Sequence, residues 1–226
     1  MSHSIPVSLH RFRRMTSRTS LLIVLLAICL WPARQSAAFP EPSKYPVSWE
    51  LKFDYATPKR VALEVPGSAA PKAYWYMTYT VTNKTDDDHE FLPLFEMVTK
   101  SGKVIRSDKG IPRAVVDRIK ALTANKLLES PLAIAGVLRV GEDQAKDGVA
   151  IWEESEPEMG TFSIFITGLS GETVLLNDTA GKPMADKDGK PVILFKTLQL
   201  DYAVAGDEVY PGIDPINKVH QRWVMR

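Results

Sequence analysis

The chain has very little thiol and imidazole: one cysteine, Cys29, and four histidines in 226 residues. Cys29, His3 and His10 lie in an N-terminal leader, so the rest of the chain has no thiol and only His89 and His220. Without cysteines no disulfide framework is possible, and stability must come from packing, as in a bacterial envelope protein rather than a small eukaryotic secreted module. Two imidazoles far apart in sequence also fall short of a zinc site. An excess of one charge is missing too, with 28 Lys and Arg against 27 Asp and Glu. That leaves no electrostatic footprint for nucleic acid or for an anionic membrane. No repeat of 20 to 50 residues is apparent, which argues against a solenoid or propeller. The G-x-S-x-G spacing of a nucleophile turn is absent as well. Gly168-Leu169-Ser170-Gly171 comes nearest and reads as a hairpin turn.

What is present begins with the leader. Arg11, Arg13, Arg14 and Arg18 precede an apolar run at 21–31, and Ser36-Ala37-Ala38 supplies small residues for a signal peptidase. The run has 11 residues, against about 20 for a membrane span. Residues 1–38 are expected to be a cleaved signal peptide, with Met1 or Met15 as the start. Arg13-Arg14 lacks the downstream features of a twin-arginine signal, and Ile28 sits where a lipoprotein box needs a small residue before Cys29. Cleavage after Ala38 removes five arginines from the 28 basic residues and no acid, leaving 23 against 27, a net of −4. The expected product, residues 39–226, is exported to the periplasm or beyond, with no stable membrane insertion and enough length for one sizeable core.

The spine of that product is the stretch 73–85, AYWYMTYTVTNKT. Trp75, Met77, Tyr79 and Val81 alternate with Tyr74, Tyr76, Thr78, Thr80 and Thr82, and these aromatic and β-branched residues suit a pleated strand. The first set is expected to face a core and the second a half-solvated surface, with Asn83 leading the closing turn. Before the spine, 47–55 alternates cleanly and 60–65 is a shorter strand. After it, 90–99 contains Pro93, which suggests an edge or bulge, and Ser101-Gly102 turns the chain into 104–105. The texture changes at about 112–128. Pro112 suits a first helical turn, Val115, Val116, Ile119 and Leu122 share one face, and Ser130-Pro131 ends the segment. Further strands are predicted at 134–140, 149–152, 161–167, 173–176, 192–203 and 219–225, punctuated by Gly168, Ser170-Gly171, Asp188-Gly189 and Gly206-Asp207. The last strand is expected to run to Arg226, with no sorting tail or anchor after it. No flexible linker separates the halves near Ser130. One elaborated, mainly β, antiparallel β-sandwich with one inserted helix is therefore preferred to two small modules.

Tyr79-Thr80-Val81-Thr82-Asn83-Lys84-Thr85 resembles the Y-x-V-x-N-x-G/T signature of bacterial cell-surface immunoglobulin-like modules, including the CARDB-type adhesion domains. The chain after residue 38 also looks like the uncharacterised secreted proteins of planctomycete-type bacteria. The first resemblance covers about 25 residues of a 226-residue chain and implies an immunoglobulin-like sandwich. It also implies that the spine turns back directly into its paired strand at 90–97. Lys84-Thr85 in place of a glycine and the inserted helix depart from the pattern.

Candidate sites are few. Asp86, Asp87 and Asp88 with His89 and Glu90, and separately Asp186 and Asp188, are calcium candidates by residue type. A solvated turn is favoured at both places, and Gly181-Lys182-Pro183 repeated as Gly189-Lys190-Pro191 reads as two successive turns. Glu153, Glu154, Glu156 and Glu158 read as a solvated run, unless the fold sets two of them across a cleft as a hydrolase needs. Trp49, Tyr74, Tyr76, Trp152 and Trp223 are candidate stacking surfaces for sugar rings. Tyr74 and Tyr76 are the pair expected to be exposed. Asn83-Lys84-Thr85 and Asn177-Asp178-Thr179 fit the glycosylation sequon, which matters only in a eukaryotic host. The expectation is a non-catalytic protein without cofactor that has a structural role or binds an envelope protein or polysaccharide. A carbohydrate-binding module and a hydrolase are the alternatives.

Overall fold

A computed structural model of the chain describes residues 39–107, 109–156, 159–205 and 216–226. The leader with its arginines and Cys29, Glu158, and the Gly206-Asp207 turn lie outside the described residues. Among the described residues the fold is mainly β and antiparallel, with one inserted α-helix, as the alternation predicted.

The spine strand, β3 (Lys72–Thr82), organises the first sheet. Two short strands, β1 (Lys52–Tyr55) and β2 (Lys59–Leu63), line up end to end along one edge of it. The other edge pairs with β8 (Lys146–Glu153), from Tyr74 opposite Glu153 to Val81 opposite Lys146. The second sheet is centred on β11 (Ile193–Val204). On one side β11 pairs with β9 (Thr161–Thr167) and, beyond it, β10 (Thr173–Leu175). On the other side it pairs with β12 (Ile216–Met225). From β9 the sheet continues through β5 (Leu94–Val98) to β6 (Val104–Arg106). A two-stranded ribbon joins β4 (His89–Phe91) to β7 (Gly136–Leu138). Because β3 pairs with β8 and β5 with β9, the segments before and after Ser130 share both sheets.

The interior between the sheets is where the spine's first face points. Trp75, Met77, Tyr79 and Val81 are fully or almost fully buried, against Phe95, Met97, Phe162, Ile164, Ile166, Leu198, Leu200 and Tyr202 of the other sheet. Gly148 lies beneath the Tyr79 ring, where an added Cβ would sit 2.4 Å from a ring carbon, so glycine is required for β8 to approach β3 there.

Several expectations need correction. Strand 47–55 is observed only as β1, with Glu50 making an isolated bridge to Ser170; Val47 is 69% exposed. The predicted strand 90–99 is two strands in different sheets. Leu92-Pro93 breaks it, because proline cannot donate to a ladder, and the chain crosses from the β4–β7 ribbon to β5 beside β9. The spine therefore does not turn back into 90–97 as its paired strand; its partners are β1, β2 and β8. The helix, α1, is Arg113–Thr123 rather than 112–128. Thr123 Oγ donates back to the Ile119 carbonyl (2.9 Å), Ala124 turns left-handed, and Asn125 begins a turn of its own by accepting from Leu127 N–H. Val115 and Ile119 are buried as predicted, whereas Leu122, on the last turn, is 48% exposed.

Between β10 and β11 the chain makes two stacked turns of one design. Asp178 Oδ1 accepts from Ala180 N–H and Lys182 N–H at 2.8 and 2.9 Å; Asp186 Oδ1 accepts from Asp188 N–H and Lys190 N–H at 2.9 Å each. Leu176, Met184 and Val192 close the base in a ring: Leu176 N–H donates to Val192, Met184 N–H to Leu176, and Val192 N–H to Met184.

Candidate functional site

The two tyrosines expected to form an exposed platform are interior. Tyr74 is 0% and Tyr76 6% exposed, packed with Val61, Val149 and Ile151 beneath Val115 and Ile119 of α1. A half-solvated face was expected from their hydroxyls, but the inserted helix covers that face and burial pushes both phenols' pKa up. Trp152 is also fully buried, Trp49 stacks on His89 at 4.4 Å, and Trp223 is half-buried. No sugar platform forms at Tyr74 and Tyr76.

The acidic candidates are equally local. Asp86, Asp87 and Asp88 lie in the exposed turn after the spine, and its centre is Asn83. This fully buried amide donates to the carbonyls of Asp87 (2.8 Å) and Leu138 (3.0 Å) and accepts from Thr85 N–H and Oγ. The asparagine of the surface-module signature is thus a staple between the spine and β7, inaccessible as a glycan acceptor in the folded chain. Asp88 Oδ1 accepts from Val140 N–H, and Asp186 from its own turn. Among the described residues no three His, Cys, Asp or Glu side chains are grouped as metal ligands. The described carboxylates of the 153–156 run each hold a different partner. Glu153 pairs with Lys72 (2.7 Å), Glu154 takes a two-pronged contact from Arg60 and a bond from Trp75 Nε1, and Glu156 accepts from Ser101 and Thr99. Ser170 is buried, accepting from Glu172 N–H.

What sequence reading passed over is the outer face of the six-stranded sheet. The first sheet's outer face carries α1, but among the described residues no element covers the second's. Register places Glu96, Ser163, Phe165, Thr167, Thr197, Gln199, Asp201, His220 and Arg222 there, since Phe95, Ile164, Ile166, Leu198 and Leu200 point inward. The polar members form a chain. Arg222 Nε donates to Gln199 (3.1 Å), Gln199 Nε2 to Asp201 (2.7 Å), and Ser163 Oγ to the same Asp201 oxygen (2.6 Å). Arg226 lies 4.1 Å above the Phe165 ring and pairs with Glu96 at 3.0 Å. Next to this network Leu175, Ile193 and Phe195 project from the same face, each between 45% and 49% exposed. On this face Thr197 and Gln199 are themselves buried by their neighbours, and the hydrogen-bonded polar groups are flanked by the exposed apolar side chains. Its signal in sequence was the odd-numbered row of β11, Ile193, Phe195, Thr197, Gln199 and Asp201, alternating with core residues.

At one end of the interior, Lys196 is 2% exposed and held by Glu50 and Glu172, the latter at 3.0 Å; Glu172 also accepts from Ser43 N–H at 2.7 Å. Burial alone would lower the lysine pKa, but the two carboxylates outweigh it and raise it. Burial likewise works against the Glu172 charge, yet the Ser43 and Lys196 contacts bring its pKa below the ordinary range. Lys196 is therefore a protonated, ion-paired clamp between β11, the residue that precedes β10 and the segment before β1, not a nucleophile. A cleft of about 630 Å³ also opens beside α1, with Ile111, Val116 and Leu132 on its walls and Arg113, Lys120 and Glu129 among its polar groups.

Compared with protein-family models, with curated proteins and with solved structures, the chain matches none.

Proposed function

We propose that this protein is an exported, non-catalytic binding module of a bacterial envelope that docks a partner protein on the open face of its six-stranded sheet. One observation carries the reading. Of the two outer sheet faces, the helix closes one. The other stays uncovered among the described residues and sets Leu175, Ile193 and Phe195 beside a fixed polar network. Interfaces concentrate their energy in such apolar and arginine-rich patches ringed by satisfied polar groups. The kinship with CARDB-type surface modules and planctomycete-type secreted proteins belongs to the same proposal. The dispersed carboxylates favour binding over hydrolysis. The buried tyrosines favour a protein partner over a stacked sugar.

The test is enrichment of partners from the native envelope fraction by the wild-type protein, by Phe195→Asp, and by Leu127→Asp, whose side chain lies on the loop after α1. A partner retained by wild type and Leu127→Asp but lost with Phe195→Asp is expected. Equal enrichment by all three proteins would overturn the reading.

A further inference from the structure

Resting on the binding-module reading and narrowing it, we propose that the free edge of β12 takes an extended acidic segment of a partner protein as an added strand. Among the described residues β12 pairs with β11 alone, and residues 217–222 are exposed along its whole middle. A strand of 10 residues at the margin of a sheet presents a long row of unpaired backbone groups. Proteins usually shield such margins with proline, a short strand or a covering element. β12 has no proline, and its one irregularity is the register shift opposite Asp201 and Tyr202.

Charge picks the occupant. The segment 216–226 carries Lys218, His220, Arg222 and Arg226 and no aspartate or glutamate. The carboxylates facing it from the sheet are Asp201, opposite His220 and already bonded to Ser163 and Gln199, and Glu96, paired with Arg226. Basic side chains can themselves guard an edge, but here Lys218 and Arg222 are each held by another strand. Past the register shift Lys218 turns to the inward face, where its Nζ bonds Tyr55 OH of β1 in the facing sheet at 3.1 Å and lies over its ring, while Arg222 on the outer face bonds Gln199. Self-pairing of two copies would set basic rows against each other, which cross-strand pairing penalises. A strand bearing glutamate or aspartate at alternate positions gains the backbone ladder and opposite charges together.

The probe is a short fluorescent peptide alternating glutamate with valine, titrated by anisotropy against the protein at low and moderate salt. Binding that weakens with salt is expected, together with loss of at least about tenfold when alternate amides are N-methylated or lysine replaces glutamate. The double variant Lys218→Glu with Arg222→Glu is expected to weaken it similarly. If that variant unfolds, amide shifts of the wild type on peptide addition serve instead and are expected to cluster on β12. No binding, an N-methylated peptide as good as its parent, shifts away from β12, or displacement by alginate as efficient as by the unlabelled peptide would each overturn the proposal. Phe195→Asp separates the two readings. A variant that keeps both the peptide and the native partner sinks the face and leaves the edge. A wild type that holds the partner but not the peptide does the reverse.

Discussion

Asn83 carries more of this fold than any exposed polar residue. Its amide makes four hydrogen bonds with no water access, and its backbone carbonyl accepts from Gly141 N–H. Truncation removes the donor to the buried Leu138 carbonyl and the acceptor of Thr85 N–H, and a buried polar group left unmade costs about 1–3 kcal/mol. Asn83→Ala is expected to lower stability by about 2–4 kcal/mol in urea unfolding, with an unchanged m-value. Lys196 gives a pH signature. Glu172 is depressed from its ordinary 4.5, so its contribution is present above that value and is lost as pH falls through the folded-state pKa. Lys196 is raised from 10.5, so its contribution is full below that value and is lost as pH rises through the folded-state pKa. Thermal midpoints measured across pH are expected to plateau between mild acid and about pH 10. In Lys196→Met, which leaves Glu172 buried without its cation, the whole plateau moves to lower temperature, for a stability loss of about 3–5 kcal/mol, and the acid limb loses its slope from Glu172.

At the scale of elements, α1 is a lid on the spine's second face. The helix begins at Pro112 and ends at left-handed Ala124, and between them only Val115 and Ile119 are fully buried. Ile119→Ala opens a cavity against Tyr74 and Tyr76 and is expected to cost about 2–4 kcal/mol by chemical denaturation. Fluorescence of the two tyrosines should become more quenchable in the variant. Much at this scale was legible in the sequence. The alternating quartet Trp75, Met77, Tyr79 and Val81 identified the core face, and the strand at 161–167 falls where its pattern put it. The exposure of Tyr74 and Tyr76 was not legible, because a phenol looks amphipathic to a pattern and only the helix's docking decides whether it is wet. The strand pairing was not legible either. A proline at 93 says that a ladder breaks, but not that the chain changes sheets there.

At the scale of the whole molecule, the arrangement is a helix, a four-stranded sheet and a six-stranded sheet in sequence, with hydrophobic packing between successive layers and none beyond the last among the described residues. The polar network on the outer face of the six-stranded sheet escaped sequence reading for a physical reason. Ser163, Gln199, Asp201 and Arg222 come from three strands of separate sequence origin, and their mutual bonds exist only once the register is set. The two stacked turns between β10 and β11 have a further consequence for how the chain tolerates change. Leu176, Met184 and Val192 are equivalent points eight residues apart, so excising 177–184 removes one whole unit. Val192 N–H, losing Met184, can then donate to the Leu176 carbonyl, while Leu176 N–H keeps Val192, and the three-membered ring contracts to an ordinary two-way pair. That deletion is expected to move the thermal midpoint by no more than a few degrees by scanning calorimetry, whereas excising four residues should cost far more. The projection is a telescoping segment, with a length that evolution or engineering can reset in whole steps without disturbing the sheet that bears it.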